Sequence, residues 1–256
     1  MRPTKRRALT AMVAVLGLAT GVAGVSCGVT ERDSVTSERL AGLRTASMAA
    51  RKQAQAAADW ITANGFDLTA AEKDVLAQPV GDPTVLVTPS AYAEIVTRRD
   101  RLAASVAVRQ AVEDQARRLG DGFTVVWTDK MDDTCKNPGY TVVGCYDSRT
   151  PEVITLATSL IDDAADDPAA AATHAVDTLL HEAAHALIFK ACGDTEPPIV
   201  GDRVEHVTDT VAWIVYGMTY RAPEDDKDAY GTDTSKGDVQ VAEDLLGGQC
   251  DAEASK

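Results

Sequence analysis

Histidine and positive charge are what this chain has least of. Its 256 residues include four His, and 25 Lys and Arg stand against 39 Asp and Glu, for a net charge of −14. Four of the basic residues, Arg2, Lys5, Arg6 and Arg7, fall before Cys27 and no acid does, so the remainder carries −18 once those four charges are taken from the total. So acidic a surface excludes nucleic acid as a partner and excludes attachment through anionic lipid headgroups, since both repel it. Cysteine is sparse as well, five in all, and no two are spaced like a zinc-binding thiolate pair, which excludes a Cys-based zinc site. No internal repeat at a period of about 20 to 50 residues is present, which excludes a solenoid.

One long uncharged apolar run is present, from Ala8 to Val25, directly after the basic cluster. A basic start followed by such a run is the pattern of an export signal. At about 18 residues it is at the lower limit for a membrane span, and small residues crowd its end. Ala23-Gly24-Val25-Ser26 before Cys27 resembles a bacterial lipobox, which implies cleavage of 1–26 and lipid attachment at Cys27, although Gly24 departs from the large aliphatic residue usual there. The predicted location is therefore extracytoplasmic, either anchored to the cell membrane by that lipid or secreted. Setting Cys27 aside leaves Cys135, Cys145, Cys192 and Cys250, an even set in an oxidising compartment. Of the three possible pairings we favour Cys135 with Cys145, closing a short loop, and Cys192 with Cys250, tying a helix end to the C-terminus.

Two of the four His lie in His181-Glu182-Ala183-Ala184-His185. On a helix, His at i and i+4 share a face one turn apart, so both imidazoles reach one tetrahedral ion. Glu182 is turned by about 100° from His181, where its carboxylate can take a proton from water at the ion's open position. The helix is legible around the motif. Asp167-Pro168 reads as an N-cap followed by Pro at the first helical position, Gly193 as the stop, and Val176, Leu179, Leu180, Ala183, Ala184, Leu187 and Ile188 as an apolar face opposite a reactive one.

A catalytic zinc needs a third protein ligand. Val204 to Trp213 has the apolar pattern of a second helix, on which Glu205 and Asp209 lie one turn apart. Glu205, Asp209 and His206 are all candidates, with a solvated acidic face as the bland reading. His174, two turns before His181, is too distant to share the ion. At these residues the chain resembles the zincin metallopeptidases of the Glu-zincin type, in which HExxH is followed at about this distance by ExxxD. The metzincin pattern is excluded, because Ile188 and Ala191 stand where it requires Gly and His.

The resemblance implies Zn²⁺ held by His181, His185 and Glu205, with Asp209 orienting a ligand imidazole and Glu182 as catalytic base in hydrolysis of a peptide or protein substrate. It spans roughly residues 120 to 220. Tyr140 to Val143 and Glu152 to Leu156, around the polar turn Asp147 to Pro151, read as a β-hairpin. The segment from Gly144 to Leu156 is similar to the strand region of secreted bacterial lipoproteins of this kind, where an edge strand receives extended substrate. Tyr146, Tyr216 and Tyr220 are candidate donors to an oxyanion. A catalytically silent zinc-binding lipoprotein, acting as adaptor or inhibitor, is the rival reading, and the intact Glu182 weighs against it. A helical envelope protein with an accidental motif is the other.

The predicted class is α+β and zincin-like: a small antiparallel or mixed sheet packed on the active helix, with a largely helical N-terminal region. The expected organisation is a signal at 1–26, a flexible tether at 27–36, helices over 37–119 and the catalytic region at 120–256, the last two forming one unit. Within 37–119, helices are expected from Ser37 to Ala63, after the capping box Thr69-Ala70-Ala71-Glu72, and from Ser90 to Leu119, with stops at Asn64-Gly65 and Gly120.

Overall fold

The computed structural model describes residues 29–78, 89–120, 122–132, 135, 141–219 and 236–251. The export signal and Cys27 lie outside them, as do Tyr140, Tyr220 and most of the loop between Pro79 and Pro89. The described part is mixed α+β and mostly helical, with one small sheet. Among the described residues no helix is long and apolar enough to cross a membrane.

The chain divides into two compact units, 1–46 and 47–256. Helix α1 spans Val29–Ala63. It starts inside the stretch expected as a tether, 27–36. No Gly or Pro lies between Gly28 and Gly42, and extending an Ala-rich helix backward costs far less than nucleating one. Gly65, at φ 81°, ends it where expected. Helix α2, Ala70–Ala77, opens with the anticipated capping box: Thr69 accepts from the Glu72 N–H, and Glu72 accepts from the Thr69 N–H. Glu72 also accepts from Arg98 at 2.7 Å, which pins α2 to helix α3, Pro89–Leu119. Ala54, Ala57, Ala58 and Ile61 of α1 and Tyr92 and Ile95 of α3 form a core of their own.

The sheet has three strands, β1 (Thr124–Thr128), β2 (Gly144–Tyr146) and β3 (Val153–Ala157), in the order β1-β3-β2. β3 pairs parallel with β1 and antiparallel with β2. The hairpin is where it was expected, but its first strand is Gly144–Tyr146 rather than Tyr140 to Val143. The turn begins at Asp147, whose carbonyl accepts from the Thr150 N–H at 2.9 Å, so the residues immediately before it make the ladder. Val143 contributes only a carbonyl, accepting from Ala157 at 2.8 Å. β1 went unread in the sequence: the turn signal Gly120-Asp121-Gly122 precedes it, but a run of five Thr, Val and Trp residues is too short to show a strand period.

Helix α4, Pro168–Cys192, is capped by Asp167 at its start, begins with Pro, and stops at Gly193 in the left-handed conformation, φ 73°. The sequence suggested one packed face and one reactive face. Instead the helix is enclosed on both sides from Leu179 to Ile188. Ala175, Leu179 and Ala183 join a core with β3 and the C-terminal half of α3, while Leu180, Ala184 and Ile188 join a second with helices α5, Val204–Tyr216, and α6, Lys236–Leu246. The motif lies between two cores, which is why its side chains are buried.

Cys135 is bonded to Cys145 and Cys192 to Cys250, with Cα separations of 5.8 and 5.6 Å. This is the pairing favoured from the sequence.

Candidate metal centre

Helix α4 brings His181 and His185 onto one side, their ring centroids 4.8 Å apart and nearly perpendicular. Glu205, in the first turn of α5, faces them: its Oε2 lies 3.0 Å from Nε2 of His181 and 3.6 Å from Nε2 of His185. The three candidate ligand atoms lie within 4.8 Å of one another, and these are the residues that could hold a metal ion among those described. His206, although buried on the same helix, is not part of the group, and neither is His174. Asp209 lies on the other side of the imidazole, its Oδ1 2.6 Å from Nδ1 of His181. The Asp209 carboxylate accepts from Nδ1–H there and so aims Nε2 at the space between His185 and Glu205.

His185 has an orienting partner that the sequence did not reveal. The Thr208 hydroxyl donates to the Val204 carbonyl at 2.9 Å, leaving a lone pair for Nδ1–H of His185 at 3.4 Å. Thr208 stands one residue before Asp209 on α5, so the two ligand imidazoles are steered by adjacent residues. Two imidazole nitrogens and a carboxylate oxygen, with the remote nitrogens engaged behind them, form a donor set that fits a divalent transition ion.

The electrostatics carry the same mark. Burial opposes charge on His181, but the hydrogen bonds to Asp209 and Glu205 outweigh it and raise its pKa to about 10. Burial likewise opposes charge on Glu205, yet its hydrogen bonds to His181 and His185 hold the carboxyl far below its ordinary range. This tight proton-linked cluster is what a cation would displace. Glu182 behaves oppositely, its pKa raised chiefly by burial. A carboxylate whose proton affinity is raised is suited to taking and returning a proton.

Glu182 rests against the edge strand of the sheet. The Tyr146 backbone N–H donates to its carboxylate, and Gly144 comes so near that a Cβ there would lie 2.5 Å from Oε1 of Glu182 and 2.6 Å from Cγ2 of Thr178. Only glycine allows this approach. Sequence reasoning passed over Gly144 because nothing local marks it; the constraint comes from a helix some 40 residues later. The Tyr146 ring meets Phe189 at 6.3 Å between centroids, while Tyr216 packs beside the two cores that flank α4. Tyr220 lies outside the described residues. Comparison of the chain with protein-family models, with curated proteins and with solved structures finds no match.

Proposed function

We propose that the protein is a zinc-dependent metallopeptidase of zincin-like fold, acting on a peptide or protein substrate outside the cytoplasm. The observation that carries this reading is the convergence of His181, His185 and Glu205 beside a buried Glu182 whose proton affinity is raised. Zinc held by those three residues would act as Lewis acid on the scissile carbonyl and acidify the attacking water. Glu182 accepts the proton of that water and later delivers it to the leaving amine. Asp209 and Thr208 keep the imidazoles aligned, and Gly144 with the Tyr146 N–H holds Glu182 in place. Among the described residues β2 pairs with β3 and no strand pairs with its other side, which supports docking of an extended substrate as an added strand. The two disulfides support an oxidising compartment, and attachment there through a lipid on Cys27 completes the proposal.

The test is metal analysis of wild type and His181→Ala, followed by a peptide-library assay of wild type against Glu182→Gln. Stoichiometric zinc lost in His181→Ala, with cleavage that falls about 100-fold or more in Glu182→Gln, is the expected result. Full zinc without Glu182-dependent cleavage would instead establish the silent zinc-binding adaptor. No zinc at all would refute the metal reading.

A further inference from the structure

Two ligands come from α4 and the third from α5, so whether the three meet depends on how the connection 193–203 is held. That connection contains two glycines at positive φ, Gly193 and Gly201, and its final residue, Arg203, starts α5 without a side-chain cap. Within it a short 3-10 turn, Pro198–Val200, buries Ile199 and Val200 in the core that α4, α5 and α6 share. Helix α6 reaches both ends of the connection. In the first turn of α6, Asp238 is almost fully buried and accepts from Arg203 through two parallel bonds of 2.6 Å, two residues before the ligand Glu205. Beyond the other end of α6, Cys250 is bonded to Cys192, the last residue of α4, and its carbonyl accepts from the Ile199 N–H at 3.2 Å. Between these points Ala242 and Leu245 are buried among Leu180, Ala184 and Ile188 of α4 and Val207 and Val211 of α5. The result is a closed ring: along the connection from Cys192 to Arg203, across the ion pair to Asp238, along α6 to Cys250 and back through the disulfide.

We propose that α6 is a brace that positions Glu205 against His181 and His185, with Arg203, Asp238, Cys192 and Cys250 as positioning residues, so that metal retention depends on the oxidised state of Cys192–Cys250. The proposal rests on the metal reading above. Geometry is the mechanism. A bidentate guanidinium–carboxylate pair fixes direction as well as distance, and a ring closed by a covalent bond has fewer ways to splay the two helices apart. Opening the ring at either link frees α5 to shift against α4, carrying Glu205 from the position all three ligands share and, on the same helix, Thr208 and Asp209 from behind the imidazoles.

Zinc dissociation constants of the full chain, measured against a chromophoric chelator, test the brace. The double variant Arg203→Met with Asp238→Asn removes the ion pair without changing net charge, and Cys192→Ser with Cys250→Ser removes the bond. Each is expected to raise the constant about 10-fold or more, as losses of ligand support do. Ile95→Ala, in the core shared by α1 and α3, is expected to lower stability and leave the constant within about twofold of wild type, which separates positioning from general loosening. Should the Cys192→Ser with Cys250→Ser variant fail to fold, phosphine reduction of folded Cys135→Ser with Cys145→Ser protein, whose remaining bond is Cys192–Cys250, gives the same reading. Wild type that binds zinc while the opened forms bind it equally well overturns the brace and leaves the metal reading standing. Wild type that binds no zinc overturns both.

Discussion

Zinc uptake by chelator-stripped protein is expected to release close to one proton from His181 at neutral pH. The imidazole is held protonated by the carboxylates of Asp209 and Glu205, with its pKa raised to about 10, and a metal ligand must be neutral. At pH 7 the ion therefore competes with a proton bound three pH units more tightly than the solution sets. The apparent affinity is about 1,000-fold, or about 4 kcal/mol, weaker than its high-pH limit. The apparent dissociation constant should fall about tenfold per pH unit from 6.5 to 8. The stripped protein's own stability runs the other way. A raised His pKa contributes stability that is complete below the ordinary 6.5 and is lost as pH rises through about 10. Glu205, with its lowered pKa, makes its contribution above the ordinary carboxylate value and loses it as pH falls; because it shares the interaction with His181, the energy is counted once. Calorimetric titration in two buffers of different ionisation enthalpy gives the proton count, and chelator competition across the pH range gives the slope. Asp209→Asn should reduce the pH dependence. A proton count near zero with pH-independent affinity would refute the arrangement of His181 between two carboxylates.

Gly144→Ala places a Cβ 2.5 Å from Oε1 of Glu182, where ordinary contact begins at 3.4 Å, so the carboxylate must move on the order of 1 Å. The expected cost is about 100-fold in kcat/KM with the zinc constant unchanged, read by steady-state kinetics beside metal titration. Leu179→Ala removes a fully buried side chain from the core of α3, α4 and the sheet and should cost about 2–5 kcal/mol in denaturant unfolding. Removing the Cys135–Cys145 bond, which closes a loop of ten residues, should cost about 2–3 kcal/mol and raise amide exchange in β2 more than in α4, measured by hydrogen exchange.

The sequence by itself determined the features written in local residue order. Thr69 with Glu72, Asp167 with Pro168, and Gly65, Gly120 and Gly193 mark helix ends because the unpaired backbone groups there need a partner within a few residues. His181, Glu182 and His185 share a constellation because helical period alone sets it, and cysteine parity limited the disulfides to a few pairings. The third ligand was only a candidate among Glu205, Asp209 and His206, since choosing requires knowing how α5 lies against α4. Tertiary structure brings Glu205, and not Asp209 or His206, into the group with His181 and His185 that could hold a metal ion, and it places Asp209 behind His181 and Thr208 behind His185. It also enclosed α4 on both faces, added β1 beside β3, shifted the first hairpin strand to Gly144–Tyr146, and brought Gly144 within reach of Glu182. Those outcomes depend on contacts between residues tens of positions apart, where burial of apolar surface, which has no sequence direction, selects the arrangement.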